Sequence, residues 1–266
     1  MQPSTTSIVA LIALLVCVLL LSVAEHGASQ VTTQSAPAAA APTQAPTAQP
    51  TPNVPAQAAQ TPQETQTHVP TTFFVMIDPS HGGTDQGALL GDKLLEKDVT
   101  LAFARRLKAE LEDRGISARL LRDGDASVSL EQRAETANAQ HAGIYLALHA
   151  GMPGQGVRIY TPALVASSAS VGKFLPWEAA QSAYTARSRT LAQAVASEVG
   201  KKDVKVLNLS TSLRPLNNIT APAIAVELAP DPNNIQDIAG QKFQSTVAAG
   251  VAAGVAQVRS QWEAQR

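Results

Sequence analysis

Cysteine is nearly absent from this chain of 266 residues, which limits the kinds of site that it can build. The one cysteine, Cys17, lies in an apolar N-terminal stretch. The remainder of the chain therefore contains no disulfide and offers no thiolate to a metal. Any metal site there must use histidine and carboxylate ligands, a donor set that suits zinc among other ions.

Basic residues are absent from the first 70 positions, which hold only two acidic residues, Glu25 and Glu64. All 20 lysines and arginines follow, where acidic residues nearly balance them, and the whole chain has a formal net charge of −1. Nucleic-acid binding requires a basic patch or stripe. The composition does not support such a patch, so we predict no nucleic-acid partner.

The first 24 residues lack charged side chains and predict a membrane leader. Residues 8–24, from Ile8 to Ala24, are almost wholly apolar. This length is near the lower limit for a spanning helix and exceeds that of most signal-peptide hydrophobic cores. We favour an uncleaved anchor, although Ser22-Val23-Ala24 also has the small residues of a cleavage site. Both alternatives predict export to the cell envelope, into the periplasm or to the outer face of the inner membrane.

Residues 25–70 consist mainly of alanine, proline, threonine and glutamine. Such a segment has too few large apolar side chains to offset the entropy cost of folding, so we predict a disordered linker. The linker would either hold a domain away from a membrane or act as a plain spacer. The predicted organisation is thus a leader at 1–24, a linker at 25–70 and one folded domain at 71–266.

Strand and helix patterns alternate through the predicted domain. Apolar runs predict strands at 73–77, 117–121, 144–148, 156–160 and 223–228, and helical spacing predicts helices at 99–114, 129–139, 188–199 and 234–259. Ser129 and Gln132 have the spacing of an N-terminal capping box. The alternation predicts an α/β fold, a single three-layer domain in which helices flank a mostly parallel, twisted sheet.

Side chains that bind metals follow three of the apolar runs. His81, His149 and Glu227 come at or just after the carboxyl ends of predicted strands, where the sites of open α/β sheets lie. Two histidines and one carboxylate leave an open position on a tetrahedral zinc ion, and a further carboxylate can transfer protons. With Glu96, the chain has four such groups. Spacing alone also allows a hydrogen-bonded structural role for each histidine.

Six motifs occur in order through the predicted domain. They read DPSHGGTDQGA at 78–88, EKD at 96–98, LLRDGDASVSLEQR at 120–133, ALHAG at 147–151, SRTLA at 188–192 and PAIAVE at 222–227. In sequence and order they resemble the motifs of the zinc-dependent N-acetylmuramoyl-L-alanine amidases of the Amidase_3 family. Chance is a poor explanation for six ordered matches.

The resemblance implies a Zn²⁺ ion held by His81, Glu96 and His149. It also implies that Glu227 is the catalytic carboxylate and that the substrate is peptidoglycan. The bond cleaved would be the amide between the lactyl group of N-acetylmuramic acid and the L-alanine of the stem peptide. Two alternatives stay open: a catalytically weak or inactive domain of the same fold that binds or regulates the cell wall, and a zinc hydrolase acting on another amide. The sequence does not identify an activating protein partner.

Four residues, at three places, depart from the family motifs. Ser80 stands where the family has glycine, at a position that we expect to prefer a positive φ. Gly151 stands where the family has asparagine, and Ala229-Pro230 replaces Gly-Phe after the catalytic glutamate. These departures leave the implied metal ligands and the acid–base group in place. They affect the expected substrate contacts more than the metal site.

A few other residues are candidates for supporting roles. Asp78 could orient a zinc-bound histidine, or it could cap the turn before Pro79. Arg214 could bind a substrate carboxylate through two hydrogen bonds, or it could form a salt bridge within its loop. Arg122 and Arg133 are expected to be structural and to pair with acidic residues near the first helices.

Overall fold

The computed structural model describes residues 73–151, 153–164 and 177–264. The leader at 1–24 and the linker at 25–70 lie outside these residues, so both stay predictions. The strands in chain order are β1 Val75–Pro79, β2 Leu89–Leu90, β3 Leu94–Leu95, β4 Ala118–Leu120, β5 Ile144–Ala150, β6 Gly156–Pro162, β7 Val206–Thr211 and β8 Ala223–Ala229. The helices are α1 Glu96–Glu112, α2 Leu130–Ala139, α3 Thr185–Gly200 and α4 Gln241–Glu263. Within the described ranges, no helix combines the length and apolar character needed to cross a membrane.

Six of these strands form one sheet in the order β4-β1-β5-β8-β6-β7. Parallel pairing joins β4 to β1, β1 to β5, β5 to β8 and β6 to β7, whereas β6 and β8 pair antiparallel. The remaining strands, β2 and β3, form a separate hairpin. The prediction of a mostly parallel sheet is therefore confirmed, with the strand direction reversed at one pair.

Helices cover both faces of this sheet. One apolar core packs α1, α3 and α4 against side chains that include Val75 and Ile77 of β1. A second core packs α2 against the opposite face, with Met76 of the same strand and Tyr145 of β5. Side chains of one strand enter both cores because successive residues point to opposite faces. The predicted three-layer α/β architecture is confirmed.

The ends of the helices agree with their predicted positions to different degrees. α2 begins as predicted, because Ser129 is its N-cap and forms a capping box with Gln132 through reciprocal hydrogen bonds. α1 begins about one turn earlier than predicted. The predicted start of the last helix at residue 234 is wrong: Ile235–Ala239 forms a separate 3₁₀ helix, and α4 begins at Gln241.

Strand β7 and the β2–β3 hairpin have no counterpart among the predicted elements. β7 lies at the edge of the sheet, where β6 is its one partner among the described residues, and none of its own residues is buried. It therefore lacks the apolar run on which the strand predictions depend. β2 and β3 contain two residues each, which is too short for a recognisable alternation. The hairpin matters for function because it connects the motif after β1 to Glu96 at the start of α1.

Candidate metal centre

The candidate site lies at the carboxyl ends of three adjacent parallel strands. Pro79 at the end of β1 pairs with Leu148 of β5, so His81 and His149 follow neighbouring strands to the same edge. On the other side of β5, His149 pairs in register with Glu227 of β8. Ligand sites in open α/β sheets occupy this edge because the strands end there and the loops begin.

The loop after β1 turns sharply so that His81 faces the start of α1. Gly82 and Asp85 exchange two backbone hydrogen bonds, of 2.8 and 3.2 Å. The left-handed conformation expected at Ser80 is wrong: it occurs at His81 instead, whose φ is 63°. The loop therefore presents the imidazole of His81 from a conformation that favours glycine, and the surrounding hydrogen bonds must hold it there.

Three of the predicted site residues come together around one carboxylate. Nε2 of His81 lies 3.1 Å from Oε2 of Glu96, and Nδ1 of His149 lies 3.1 Å from Oε1 of the same side chain. One ligand atom from each of the three residues lies within 4.8 Å of the others. The two imidazole rings are nearly perpendicular, with centroids 5.9 Å apart. The three donor atoms are therefore close enough together to share one ion.

Glu96 is the centre of this cluster and is almost fully buried. Its two oxygens accept backbone hydrogen bonds from Ala88 at 2.9 Å and Ala150 at 3.1 Å. Burial opposes the charged form, but the hydrogen bonds with His149 and His81 and with the two amides outweigh it and place the pKa of Glu96 far below its usual range. Conversely, the hydrogen bond with Glu96 raises the pKa of His81 despite partial burial. Glu96 is therefore a carboxylate at neutral pH, as a metal ligand must be.

In each imidazole the outer nitrogen, the one that does not face Glu96, has its own partner. Nδ1 of His81 lies 2.8 Å from Oδ2 of Asp85, and Nε2 of His149 lies 2.9 Å from Oγ of Ser80. Histidines that bind metals usually make such a second hydrogen bond, which fixes the ring orientation and the tautomer. In both rings the nitrogen facing Glu96 is thus the one available to a metal.

The donor set and the spacing fit zinc. Two imidazole nitrogens and one carboxylate are ligands of catalytic zinc sites, in which a water molecule takes the fourth position. Bonds of about 2.0–2.2 Å in a tetrahedron place ligand atoms about 3.4 Å apart. The two nitrogen–oxygen distances to Glu96, both 3.1 Å, are close to that separation. They involve different oxygens of Glu96, and the three candidate ligand atoms lie within 4.8 Å of one another, so binding of zinc would draw the side chains closer together.

Glu227 lies beside this cluster but is not one of the three residues whose ligand atoms converge. All seven residues of β8 are buried, so the carboxylate of Glu227 is largely shielded from water. Oε2 accepts a hydrogen bond of 2.5 Å from the hydroxyl of Tyr160, and Oε1 lies 3.4 Å from a guanidinium nitrogen of Arg158. A Cβ at Gly151, next but one after His149, would lie 3.4 Å from Oε1. Burial and the hydrogen bond to Glu227 raise the pKa of Tyr160 to about 12, so its hydroxyl remains a donor at neutral pH.

Tyr160 and Arg158 were not among the candidate residues, although the sequence of β6 gives a reason to consider them. Both are polar residues two positions apart on a strand whose intervening residue, Ile159, is fully buried. Residues two apart on a strand share a face. Their relation to Glu227, however, depends on the antiparallel pairing of β6 with β8, which no local pattern predicts.

Asp78 supports the loop rather than a histidine ring. Its carboxylate is buried and accepts hydrogen bonds from Arg133 and from the hydroxyl of Tyr145. The same guanidinium group donates to the carbonyl oxygen of His81 at 2.8 Å. Asp78 thus acts on His81 through Arg133, whose predicted pairing with an acidic residue is present.

Arg122 differs from its predicted role. It was expected to pair with acidic residues, but its guanidinium group donates to the carbonyl oxygens of Pro79, Ser80 and Lys97 at 2.8–3.0 Å. These bonds join the end of β1 to the first turn of α1. The buried arginine therefore fixes the segments that carry His81 and Glu96 relative to each other.

Arg214 lies on a cleft that opens over the cluster. The cleft has a volume of about 440 Å³, and its lining includes His81, His149 and Arg214. The guanidinium group lies 3.4 Å from a carboxylate oxygen of Glu131, and both side chains are more than half exposed. Arg214 therefore forms a salt bridge to helix α2 rather than within its own loop, in a position that a substrate could also reach.

Comparison with known proteins assigns the chain to a family. A family model described as N-acetylmuramoyl-L-alanine amidase matches residues 75–257. The chain belongs to this family of amidases. The matched span includes His81, Glu96, His149 and Glu227, as the resemblance of the motifs predicts.

Solved amidase structures share the fold of this family member. The amidase AmiC2 of Nostoc punctiforme is 26% identical with a TM-score of 0.56, and the alignment covers 71% of this chain and 97% of that one. An amidase of Clostridium difficile is also 26% identical, with a TM-score of 0.57 and coverage of 71% and 98%. The amidase AmiA of Salmonella typhimurium is 43% identical over 77 residues, which are 29% of this chain and 27% of the relative. The chain spans about a quarter of the length of the first curated relatives it matches.

Proposed function

We propose that this chain is an exported zinc amidase of the cell wall. It hydrolyses the amide bond between the lactyl group of N-acetylmuramic acid and the L-alanine of peptidoglycan stem peptides. The observation that carries the proposal is the convergence of His81, Glu96 and His149 beside Glu227, in a member of the amidase family. Zn²⁺ is the proposed cofactor, with those two histidines and Glu96 as its ligands.

His81, Glu96 and His149 would hold the zinc ion, as three protein ligands do in catalytic zinc sites. Bound there, zinc would supply polarisation of the scissile carbonyl and a lowered pKa of the attacking water. Glu96 contributes its negative charge, and the two imidazoles bind as neutral groups. Asp85 and Ser80 keep the outer nitrogen of each ring occupied, so that both rings stay aimed at the same point.

Glu227 is the proposed acid–base group. Its carboxylate takes a proton from the attacking water and then returns it to the alanine nitrogen as the carbon–nitrogen bond breaks. Tyr160 holds one carboxylate oxygen and Arg158 lies beside the other. These contacts fix the orientation of the carboxylate, while its place next to His149 in the sheet keeps it close to the metal ligands.

Peptidoglycan is the proposed partner, and the cleft over the cluster is its proposed binding site. Arg214 is exposed on the lining of that cleft, so it can exchange its contact with Glu131 for a carboxylate of the stem peptide. Export and membrane anchoring through Ile8 to Ala24 would place the enzyme at its substrate. The linker at 25–70 would then allow the domain to reach the wall.

Metal analysis and wall hydrolysis by the full-length chain test this proposal. The wild-type protein should bind one zinc ion and release soluble fragments from purified peptidoglycan. His81→Ala and His149→Ala should lose both properties. The control is His141→Asn, because His141 is exposed, lies outside the cluster and has a φ of 54° that asparagine tolerates.

The same assay separates the competing functions. A protein that binds zinc and the wall but releases nothing would be the catalytically weak or inactive binding domain. A protein that hydrolyses only amides outside peptidoglycan would be a zinc hydrolase of another specificity. Unchanged zinc content in both histidine variants would contradict the metal assignment.

A further inference from the structure

Ser80 is the residue at which this chain departs from the family motif beside the metal ligands. Its side chain is nearly buried, with 7% of the residue exposed. Its Oγ lies 2.9 Å from Nε2 of His149. Glycine, which the family motif has at this position, would leave that nitrogen without this partner. The departure therefore adds a hydrogen bond to a proposed ligand.

The backbone of Ser80 is fixed on both sides. Its amide donates to the carbonyl oxygen of Leu148 at 3.1 Å, and its own carbonyl oxygen accepts from Thr100 at 3.1 Å and Arg122 at 3.0 Å. Serine has one side-chain dihedral angle before the hydroxyl oxygen, and that angle has three staggered positions. With the backbone held, the hydroxyl oxygen has three positions open to it, and the one observed is that which contacts His149.

The contact with Ser80 is compatible with either tautomer of His149, because a hydroxyl can donate to a ring nitrogen or accept from one. A metal bound at Nδ1 would require the hydrogen to lie on Nε2. Neutral imidazole has one protonated nitrogen and one nitrogen with a free lone pair. Nδ1 of His149 faces Oε1 of Glu96 at 3.1 Å, which is the side on which the other proposed ligands converge. If Ser80 accepts a hydrogen bond from Nε2, the lone pair lies on Nδ1 and points into the cluster.

We propose that Ser80 is a positioning residue for the metal centre: its hydroxyl accepts the Nε2 hydrogen of His149 and holds Nδ1 as the metal-binding atom. This proposal rests on the proposed zinc site. The corresponding group for His81 is the Asp85 carboxylate, 2.8 Å from Nδ1. The two imidazoles thus bind through different nitrogens, one oriented by a carboxylate and the other by a neutral hydroxyl, which adds no further negative charge to the site.

The first test measures zinc affinity in the full-length chain by competition with a chromophoric chelator. Ser80→Ala removes the acceptor and should weaken zinc binding by about 10- to 100-fold, the usual effect of losing such an outer contact. The matched control is Ser188→Ala. Ser188 is also buried and hydrogen-bonded, but to Gln181 and the amide of Ala223, away from the cluster. The control should bind zinc with the wild-type affinity.

The second test reads the tautomer directly. Long-range proton–nitrogen NMR of the zinc-loaded wild-type protein should show a hydrogen on Nε2 of His149 and the metal on Nδ1. Metal on Nε2, or a zinc affinity of Ser80→Ala equal to that of the wild type, would overturn the role of Ser80 and leave the proposed zinc site intact. A wild-type protein that binds no zinc would overturn the zinc site itself, and this inference with it.

Discussion

Gly87 is a position at which one added methyl group should disturb the proposed metal centre. Its φ is +66°, and a Cβ there would lie 2.6 Å from Cδ2 of His81 and 2.7 Å from Oε2 of Glu96. Neither group can move aside easily, since the loop holds His81 and backbone amides hold both oxygens of Glu96. Gly87→Ala should therefore separate the two proposed ligands.

Gly115 supplies a matched control for the size of this effect. Its φ is +68°, but a Cβ there would meet nothing within 4 Å. Gly115→Ala should cost only the strain of a left-handed residue, about 1–2 kcal/mol. Gly87→Ala should add a steric cost of about 1–3 kcal/mol, for a total of about 2–5 kcal/mol.

Urea unfolding of the metal-free protein and a zinc-affinity measurement would check this pair. Gly87→Ala should lower the free energy of unfolding more than Gly115→Ala and should weaken zinc binding by about 10-fold or more. Gly115→Ala should leave zinc affinity unchanged. Equal destabilisation by the two substitutions, with normal zinc binding in both, would refute the close approach described here.

Three further predictions concern pH, Glu227 and the N-terminal segments. The pKa of His81 is raised in the folded protein, so the stabilisation from its protonated form is complete below pH 6.5 and is lost as the pH rises through the pKa of the folded state. In the metal-free protein, the difference in urea midpoint between wild type and His81→Gln should therefore shrink from about pH 5.5 to about pH 8.5. A difference that stays constant over this range would contradict the prediction. Tyr160→Phe removes the hydrogen bond to Glu227 and should lower turnover of a soluble muropeptide roughly 10-fold, which corresponds to an activation barrier about 1.4 kcal/mol higher. The zinc content should not change. A variant that turns over as fast as the wild type would show that this contact is dispensable. Deletion of residues 1–70 should change neither the thermal midpoint nor muropeptide turnover, and a large loss of either would show that those residues contact the domain.

Much of the fold could be predicted because the central strands are buried on both faces. Continuous apolar runs such as residues 144–148 and 223–226 identify strands without reference to the rest of the chain. Edge strand β7 has intermediate or exposed residues and no such signal. The start of α4 was also misplaced, because the 3₁₀ helix Ile235–Ala239 continues a helical pattern with different hydrogen bonds.

The candidate ligands could be predicted for a topological reason. His81 and His149 follow parallel strands, and such strands end at the same edge of a sheet. The supporting contacts could not, because each depends on the register between distant segments. Ser80 meets His149 only when β1 and β5 align, and Tyr160 meets Glu227 only through the reversed pairing of β6 with β8.

The central claim is that Glu227 is the acid–base group of a zinc amidase that acts on peptidoglycan. The most direct test identifies, by mass spectrometry, the products that the full-length wild type, Glu227→Gln and Glu198→Gln release from a soluble muropeptide, with zinc content measured in each. Glu198 pairs with Lys201 at the C-terminal end of α3, so its variant controls for loss of a carboxylate elsewhere. The wild type and the control should release a stem peptide with a free alanine amino group, and Glu227→Gln should be roughly 10²–10⁴-fold slower with zinc retained. A cut at another bond, or a Glu227→Gln variant as fast as the wild type, would contradict the account.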